Sequence, residues 1–149
     1  MNIKRIDAST LTAPEILSLL EIARGFSAAR PDWNQLRRKL ECSEAWCFCE
    51  GDAMAGFALL KCPCSYTSCA AELTALHYRW EYGDEASILR ILEALTVPYR
   101  GRVRYLLLDV SRRHDLNLEL YHRFGFRDSA MRSPHGRENI VLIADLTIL

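Results

Sequence analysis

At 149 residues, half of them hydrophobic, the chain has the size of one domain with a core of its own. Nineteen basic side chains balance nineteen acidic ones, so no chain-wide field marks a binder of nucleic acid or of anionic membranes. Asp7, Glu15 and Glu21 interrupt the apolar stretch that a signal peptide needs, and no run reaches the roughly 18 apolar residues of a membrane span, which points to the cytoplasm.

No internal repeat, low-complexity segment or Pro/Gly/Ser-rich linker divides the chain, so residues 1–149 read as a single domain. "MNIKRI" reads as a short strand. Thr12-Ala-Pro-Glu15 is a capping-box pattern with Pro in the first turn, and Ile16, Leu19, Leu20 and Ala23 share one face of a helix running to about Gly25. A second capping box, Asp32-Trp-Asn-Gln35, leads a short helix with Trp33, Leu36 and Leu40 on one face. "AWCFCEGDAMAGFALLKC" carries apolar runs on both sides of Glu50-Gly51-Asp52, the pattern of a hairpin.

"CAAELTALHYRW" reads as a long strand, and Ile88, Ile91, Leu92 and Leu95 mark a helix face ending before Pro98. "VRYLLLDV" is nearly continuously apolar, as a strand buried on both faces is. "DLNLELYHRF" places Leu116, Leu120, Tyr121 and Phe124 on a helix face closed by Gly125. "GFRDSAMRS" and "RENIVLIADL" pair as strands across Ser133-Pro-His-Gly136. The order β-α-α-β-β-β-α-β-α-β-β implies an α/β fold: a mixed central sheet flanked by helices, with a site near the carboxyl ends of strands.

Six cysteines, at 42, 47, 49, 62, 64 and 69, crowd the middle third. Their Cys-x-Cys spacing is not that of a zinc site, and none of the four histidines completes one. They read as reduced, half-buried strand cysteines, with an adventitious metal site or a redox-sensitive pair as the other reading.

Three strings, in order along essentially the whole chain, resemble the GNAT superfamily of N-acetyltransferases: "AAELTALHYRWEY", "LLLDVSRRHDLNLELY" and "LYHRFGF". The resemblance implies acetyl-CoA as donor and a small-molecule or peptide amine as acceptor. It also implies Tyr121 as the general acid that protonates the departing thiolate, where the residues alone suggest a core tyrosine. Glu72 becomes a general base acting on the amine, where the residues alone suggest an outward-facing carboxylate. That role needs surroundings that raise its pKa toward the working pH.

By the same resemblance the main chain at Leu76, His77 and Tyr78 pairs with the pantetheine arm, and Asp84, Glu85, Ala86, Ser87 and Ile88 form the segment facing the pyrophosphate. His114, where the family often has Asn, and Asn117 are further cofactor-binding candidates. Arg79, Arg112 and Arg113 could supply cations near the phosphates.

The family's loop carries Arg or Gln, two variable residues, Gly, another variable residue, then Gly or Ala. A gapless match puts Gly83 at the Arg or Gln place, Ala86 at the Gly place and Ile88 at the final small position. Ile88 there would obstruct the backbone's approach to the ligand. Two acids, Asp84 and Glu85, would each repel a pyrophosphate by on the order of 1 kcal/mol or more at a partly buried site. Read without a ligand, Asp84 is the helix N-cap and Glu85 is favoured by the helix dipole.

The resemblance also implies that residues 30–46, with Trp33 and Trp46, lie near the acceptor side, with Asp32, Glu41 or Glu44 attracting a cationic amine; read from the residues alone, these are equally ordinary surface groups. The competing reading is a catalytically inactive GNAT-like binding or oligomerisation module, such as a homodimer, that has lost coenzyme A binding. Arg100, Arg102, Arg104, Arg112 and Arg113 raise RNA or DNA as a partner. The alternation at a strand start, without aromatic interleaving beyond Tyr99 and Tyr105, instead marks a solvated edge.

Overall fold

The computed structural model describes residues 1–26, 30–65, 67–112 and 115–149. In chain order these form β1 (Asn2–Arg5), α1 (Ala13–Phe26), α2 (Trp33–Glu41), β2 (Glu44–Glu50), β3 (Ala53–Lys61), β4 (Ala70–Tyr78), a 3-10 turn (Trp80–Tyr82), α3 (Glu85–Thr96), β5 (Tyr105–Ser111), α4 (Asp115–Phe124), β6 (Arg127–Asp128) and β7 (Asn139–Asp145). This is the order expected from the sequence, with one extra turn after β4. Seven strands make one mixed sheet in the order β1-β2-β3-β4-β5-β7-β6. β4 and β5 run parallel.

By internal packing the chain forms two compact units, Met1–Leu60 with Ala75–Ala94, and Lys61–Thr74 with Leu95–Leu149. In the first unit both capping boxes close. Thr12 N–H donates to Glu15 Oε1 at 2.9 Å while Glu15 N–H donates to Thr12 Oγ1 at 3.4 Å. Asp32 and Gln35 make the reciprocal pair at 2.9 and 3.0 Å. Each box satisfies donors that a helix start leaves orphaned.

The caps fix which faces turn inward. Leu19, Leu20, Ile22 and Ala23 of α1 and Leu36 and Leu40 of α2 bury against Ala45, Cys47, Phe57 and Leu59 of β2 and β3. Each such aliphatic contributes about 1.5–3 kcal/mol on burial. Trp33 is half-buried and packs at the edge of this core. Gly51, at φ +61°, makes the β2–β3 turn. Gly56 answers a different need: a Cβ there would lie 2.3 Å from the carbonyl oxygen of His77 and 2.9 Å from Tyr78 Cα. Only glycine lets β3 pass the end of β4 so closely.

In the second unit β4 and β5 are laddered from Ala70↔Tyr105 to Leu73↔Leu108, and β5 pairs with β7 along its whole length. The expected strand over "GFRDSAMRS" shrinks to the two residues of β6. Asp128 and Ser129 stop it: Asp128 Oδ1 accepts Ala130 N–H at 2.8 Å, Ser129 Oγ accepts Met131 N–H at 3.1 Å, and Ala130 sits at φ +60°. Local side-chain acceptors replace the ladder. α4 ends in a left-handed cap at Gly125, φ +125°, whose N–H donates to His122 O at 3.1 Å while Phe126 N–H donates to Tyr121 O at 3.0 Å.

No disulfide forms among the six cysteines, and only Cys47 and Cys49 lie in a strand; Cys42 and Cys69 are exposed. Burial, then neighbouring Cys49, pushes the Cys47 thiol up to about 12, leaving it protonated near neutrality. Arg102 and Arg104 are engaged by their own chain. Arg102 lies over the Tyr99 ring and Arg104 over Tyr105, and Arg104 pairs with Asp145 at 3.3 Å. No helix among the described residues is long and apolar enough to cross a membrane.

Candidate active site

In the first unit the chain leaves β4 through a turn locked by Arg79. Its N–H donates to Ala55 O at 2.8 Å, its Nε to Met54 O at 2.8 Å, and its Nη1 meets Glu21 Oε1 at 2.7 Å. The guanidinium expected near phosphates is therefore committed to α1 and β3. Gly83 N–H then donates to Trp80 O at 3.1 Å. A Cβ on Gly83 would stand 3.2 Å from the Tyr78 ring, so the small residue lets that ring lie against the turn.

α3 begins as the ligand-free reading of the sequence requires. Asp84 Oδ2 accepts Ser87 N–H at 3.2 Å, Asp84 Oδ1 accepts the Ser87 hydroxyl, and Asp84 O accepts Ile88 N–H at 3.1 Å. The Ser87 hydrogen bond holds the Asp84 carboxyl below its ordinary value. Asp84, Glu85 and Ala86 are exposed. Ile88 is 4 % exposed and turns into the core, so its side chain does not lie on the exposed loop surface where the sequence set it as an obstruction.

Leu76, His77 and Tyr78 are half-buried on β4. The His77 ring lies 5.1 Å from that of Phe57, and burial, then Lys39, lowers its pKa, which favours the neutral imidazole. Burial raises that of the Tyr78 phenol.

For coenzyme A the fit is divided. Extended main chain at Leu76–Tyr78 can pair with a pantetheine arm whatever the side chains. At the start of α3 the Asp84 carboxylate takes the Ser87 N–H and hydroxyl and places a negative charge where a diphosphate would approach. His114 and Arg113 lie outside the described residues, as does the side chain of Asn117. Arg112 N–H donates to Glu138 O at 2.7 Å.

The second unit gathers the titratable groups. Glu72 pairs in register with Leu107 on β5, and Asp109, two residues on, falls on the same face. Asp109 Oδ2 accepts the Ser133 hydroxyl at 2.6 Å and Oδ1 accepts Asn139 Nδ2–H at 2.9 Å. Glu72 is half-buried. Burial raises its pKa; Lys61 and His135 act in the lowering direction, and the charge of Asp109 raises it further. A carboxylate so placed is equipped to take a proton.

Tyr121 is half-buried on α4, its ring edge-on to Phe126 with centroids 6.0 Å apart and planes at 75°. Its main-chain oxygen accepts both Gly125 N–H and Phe126 N–H, so the cap fixes its place on the helix. Glu72 is brought to Asp109, and Tyr121 to Phe126. Sequence reading missed Asp109, Ser133, Lys61 and His135; the available signal was a lone acid inside the apolar run "YLLLDV".

No protein-family model matches the chain, and no curated protein matches it significantly in sequence. Among solved structures, the aminoglycoside 6'-N-acetyltransferase from Enterococcus faecium superposes with a TM-score of 0.74 at 13 % identity, over 98 % of this chain and 97 % of the other. The ribosomal-protein-S18-alanine N-acetyltransferase from Escherichia coli gives 0.72 at 18 %, over 97 % and 93 %. A GNAT family acetyltransferase from Elizabethkingia anophelis, with acetyl-CoA bound, gives 0.67 at 14 %, over 97 % of each chain. The fold of this chain is the GNAT fold.

Proposed function

We propose that the chain is an acetyl-CoA-dependent N-acetyltransferase that acts by direct transfer on the primary amine of a small molecule or peptide, as one domain spanning residues 1–149. The observation that carries the reading is Glu72, half-buried and lifted by burial and by Asp109, on a fold shared with acetyltransferases over nearly the whole chain. Acetyl-CoA, when bound, supplies the acetyl thioester. Main chain at Leu76–Tyr78 holds the arm of the donor. Glu72 takes a proton from the amine nitrogen. Tyr121 Oη delivers one toward the leaving sulfur and recovers it from solvent.

The capped start of α3 favours a second reading, a GNAT-like binding or oligomerisation module, such as a homodimer, without coenzyme A. Calorimetric titration with acetyl-CoA and with CoA, on the wild type and on an Asp84→Ala, Glu85→Ala double variant, separates the two. Micromolar binding by the wild type supports the enzyme and opens an acceptor screen with Tyr121→Phe and Glu72→Gln as controls. Affinity that arises only in the double variant means the loop is closed to the donor.

A further inference from the structure

None of the six thiols belongs to the groups proposed for acetyl transfer, and their surroundings separate them. Cys47 and Cys49 share β2 and lie against the core under α1 and α2, where burial keeps the Cys47 thiol protonated. Cys42 caps the end of α2. Cys62 is held by a guanidinium, Arg102 Nη2–H donating to its Sγ at 3.6 Å. Cys64 and Cys69, in the second unit, converge instead on one residue. The Cys64 thiol donates to Thr67 O at 3.3 Å, and Cys69 Sγ lies 3.1 Å from Thr67 Oγ1. Cys69 N–H donates to the same hydroxyl oxygen at 3.4 Å.

The main chain closes the turn that joins these two thiols. Cys64 N–H donates to Ala70 O at 2.9 Å, so Cys64 lies beside the residue that follows Cys69, and Cys69 O accepts Arg104 N–H at 2.9 Å and Tyr105 N–H at 3.1 Å. A disulfide needs Cα atoms about 4.4–6.8 Å apart, and a residue next to a hydrogen-bonded strand neighbour, itself about 5.5 Å away, falls in or near that range. The two thiols differ in access. Cys69 is exposed, whereas Cys64 is 8 % exposed and packs with Ala70, Leu107 and Val141. An accessible thiol beside a sheltered partner is the arrangement of a labile disulfide and not of a structural one. A metal is the other use of clustered thiols, but among the described residues no three of His, Cys, Asp and Glu are grouped to hold one.

We infer that Cys64 and Cys69 form a reversible thiol–disulfide site, in which Cys69 meets a peroxide and Cys64 resolves the product. The Cys69 sulfur takes one oxygen from hydrogen peroxide, giving a sulfenic acid and water as the O–O bond breaks. The Cys64 sulfur then attacks the Cys69 sulfur; its proton leaves with the hydroxyl as a second water, and the S–S bond forms. Two thiols have lost two electrons and two protons, and the peroxide has gained them. The new bond withdraws the Cys64 S–H from Thr67 O, and a dithiol reductant reverses it. The inference does not rest on acetyl transfer and is measured without turnover.

The test uses the full chain, reduced, freed of reductant, treated with hydrogen peroxide in slight excess, then unfolded and alkylated with iodoacetamide. Lys61 and Arg79 bound one tryptic peptide that carries Cys62, Cys64 and Cys69, so mass spectrometry reads all three together. The expected product is that peptide two hydrogens lighter, with the alkyl group on Cys62, and dithiothreitol returns it to the fully alkylated form. The disulfide is retained in Cys62→Ser and lost in Cys64→Ser and in Cys69→Ser. Dimedone, which traps sulfenic acids, labels Cys69 in Cys64→Ser and does not label Cys64 in Cys69→Ser. Residue 69 is exposed and the hydroxyl of Cys64→Ser still has Thr67 O to donate to, so both variants keep the fold, which circular dichroism checks. An alkyl group on Cys64 or Cys69 in the oxidised wild type overturns the inference without any variant. So does a disulfide that survives Cys64→Ser or Cys69→Ser, dimedone on Cys64 in place of Cys69, or a peptide that stays fully reduced.

Discussion

Gly56→Ala is the sharpest perturbation of this fold. The added Cβ would stand 2.3 Å from His77 O, 2.9 Å from Tyr78 Cα and 3.1 Å from Tyr78 Cβ. The two nearest are main-chain atoms, so no rotamer change relieves them. A carbon needs about 3.3 Å from a carbonyl oxygen, so β3 and the end of β4 must part by about 1 Å. Forcing atoms into packed structure in this way costs about 1–3 kcal/mol. For a chain of this size that lowers the melting temperature by about 2–4 °C per kcal/mol, or about 2–12 °C in all. Gly25→Ala is the matched control: nothing lies within 4 Å of its added Cβ and it is helical. It should raise the melting temperature slightly, since alanine is favoured over glycine in a helix by up to about 1 kcal/mol. Thermal unfolding followed by circular dichroism at one protein concentration reads both. If Gly56→Ala melts within a degree of the wild type, the close approach of β3 to β4 is wrong. If it melts low as expected, its acetyl-CoA affinity should also fall at temperatures where it is folded, because Leu76–Tyr78 has moved.

Glu72→Gln should stabilise the protein near neutral pH. Burial raises the carboxyl above its ordinary value of 4.5, so ionising it opposes folding, and that cost is absent below the ordinary value and grows as pH rises through the raised one. The gap in melting temperature between variant and wild type should therefore close on acidification; a gap independent of pH refutes the cause. Asp109→Asn removes a charge that holds the Glu72 carboxyl up, so a carbon-13 titration of the Glu72 side chain should move toward the ordinary value, and an unmoved titration assigns the whole shift to other causes. Gly125→Ala places a side chain at φ +125° with its Cβ 2.4 Å from Leu149 Cδ2. That Leu149 atom can swing away and the backbone cannot, so the loss should be about 1–3 kcal/mol, read by urea unfolding.

Elements whose signal is local were legible. Both capping boxes, the turn at Gly51, the buried face of α3 and the glycine end of α4 are written within a few residues of where they act, and the structure has all of them. What was not legible depends on distant partners. Arg79 could be read as a free cation because Glu21 and Met54 lie 58 and 25 residues away in sequence. Asp109 interrupts an apolar run for a reason visible only when Ser133 and Asn139, 24 and 30 residues on, fold back to it. β6 was overdrawn for the opposite reason. Apolar Ala130 and Met131 carry the expected strand past residue 128, but the side chains of Asp128 and Ser129 compete for main-chain donors at short range, which periodicity does not register.

The start of α3 joins these two kinds of information. Two acids at residues 84 and 85 fit either a cap or a degraded phosphate loop, and the sequence alone does not choose. In the structure Ser87 gives its N–H and its hydroxyl to Asp84, so the helix start carries an internal anion. On the reading without coenzyme A, opening this end of the site to a diphosphate requires removing the cap and not merely adding a cation. Ala86→Arg, beside an intact Asp84, should then leave coenzyme A affinity as it is in the wild type, whereas Asp84→Ala with Glu85→Ala should raise it while lowering helix stability. If the Arg variant alone gains the affinity, charge and not cap occupancy is what limits this end of the site.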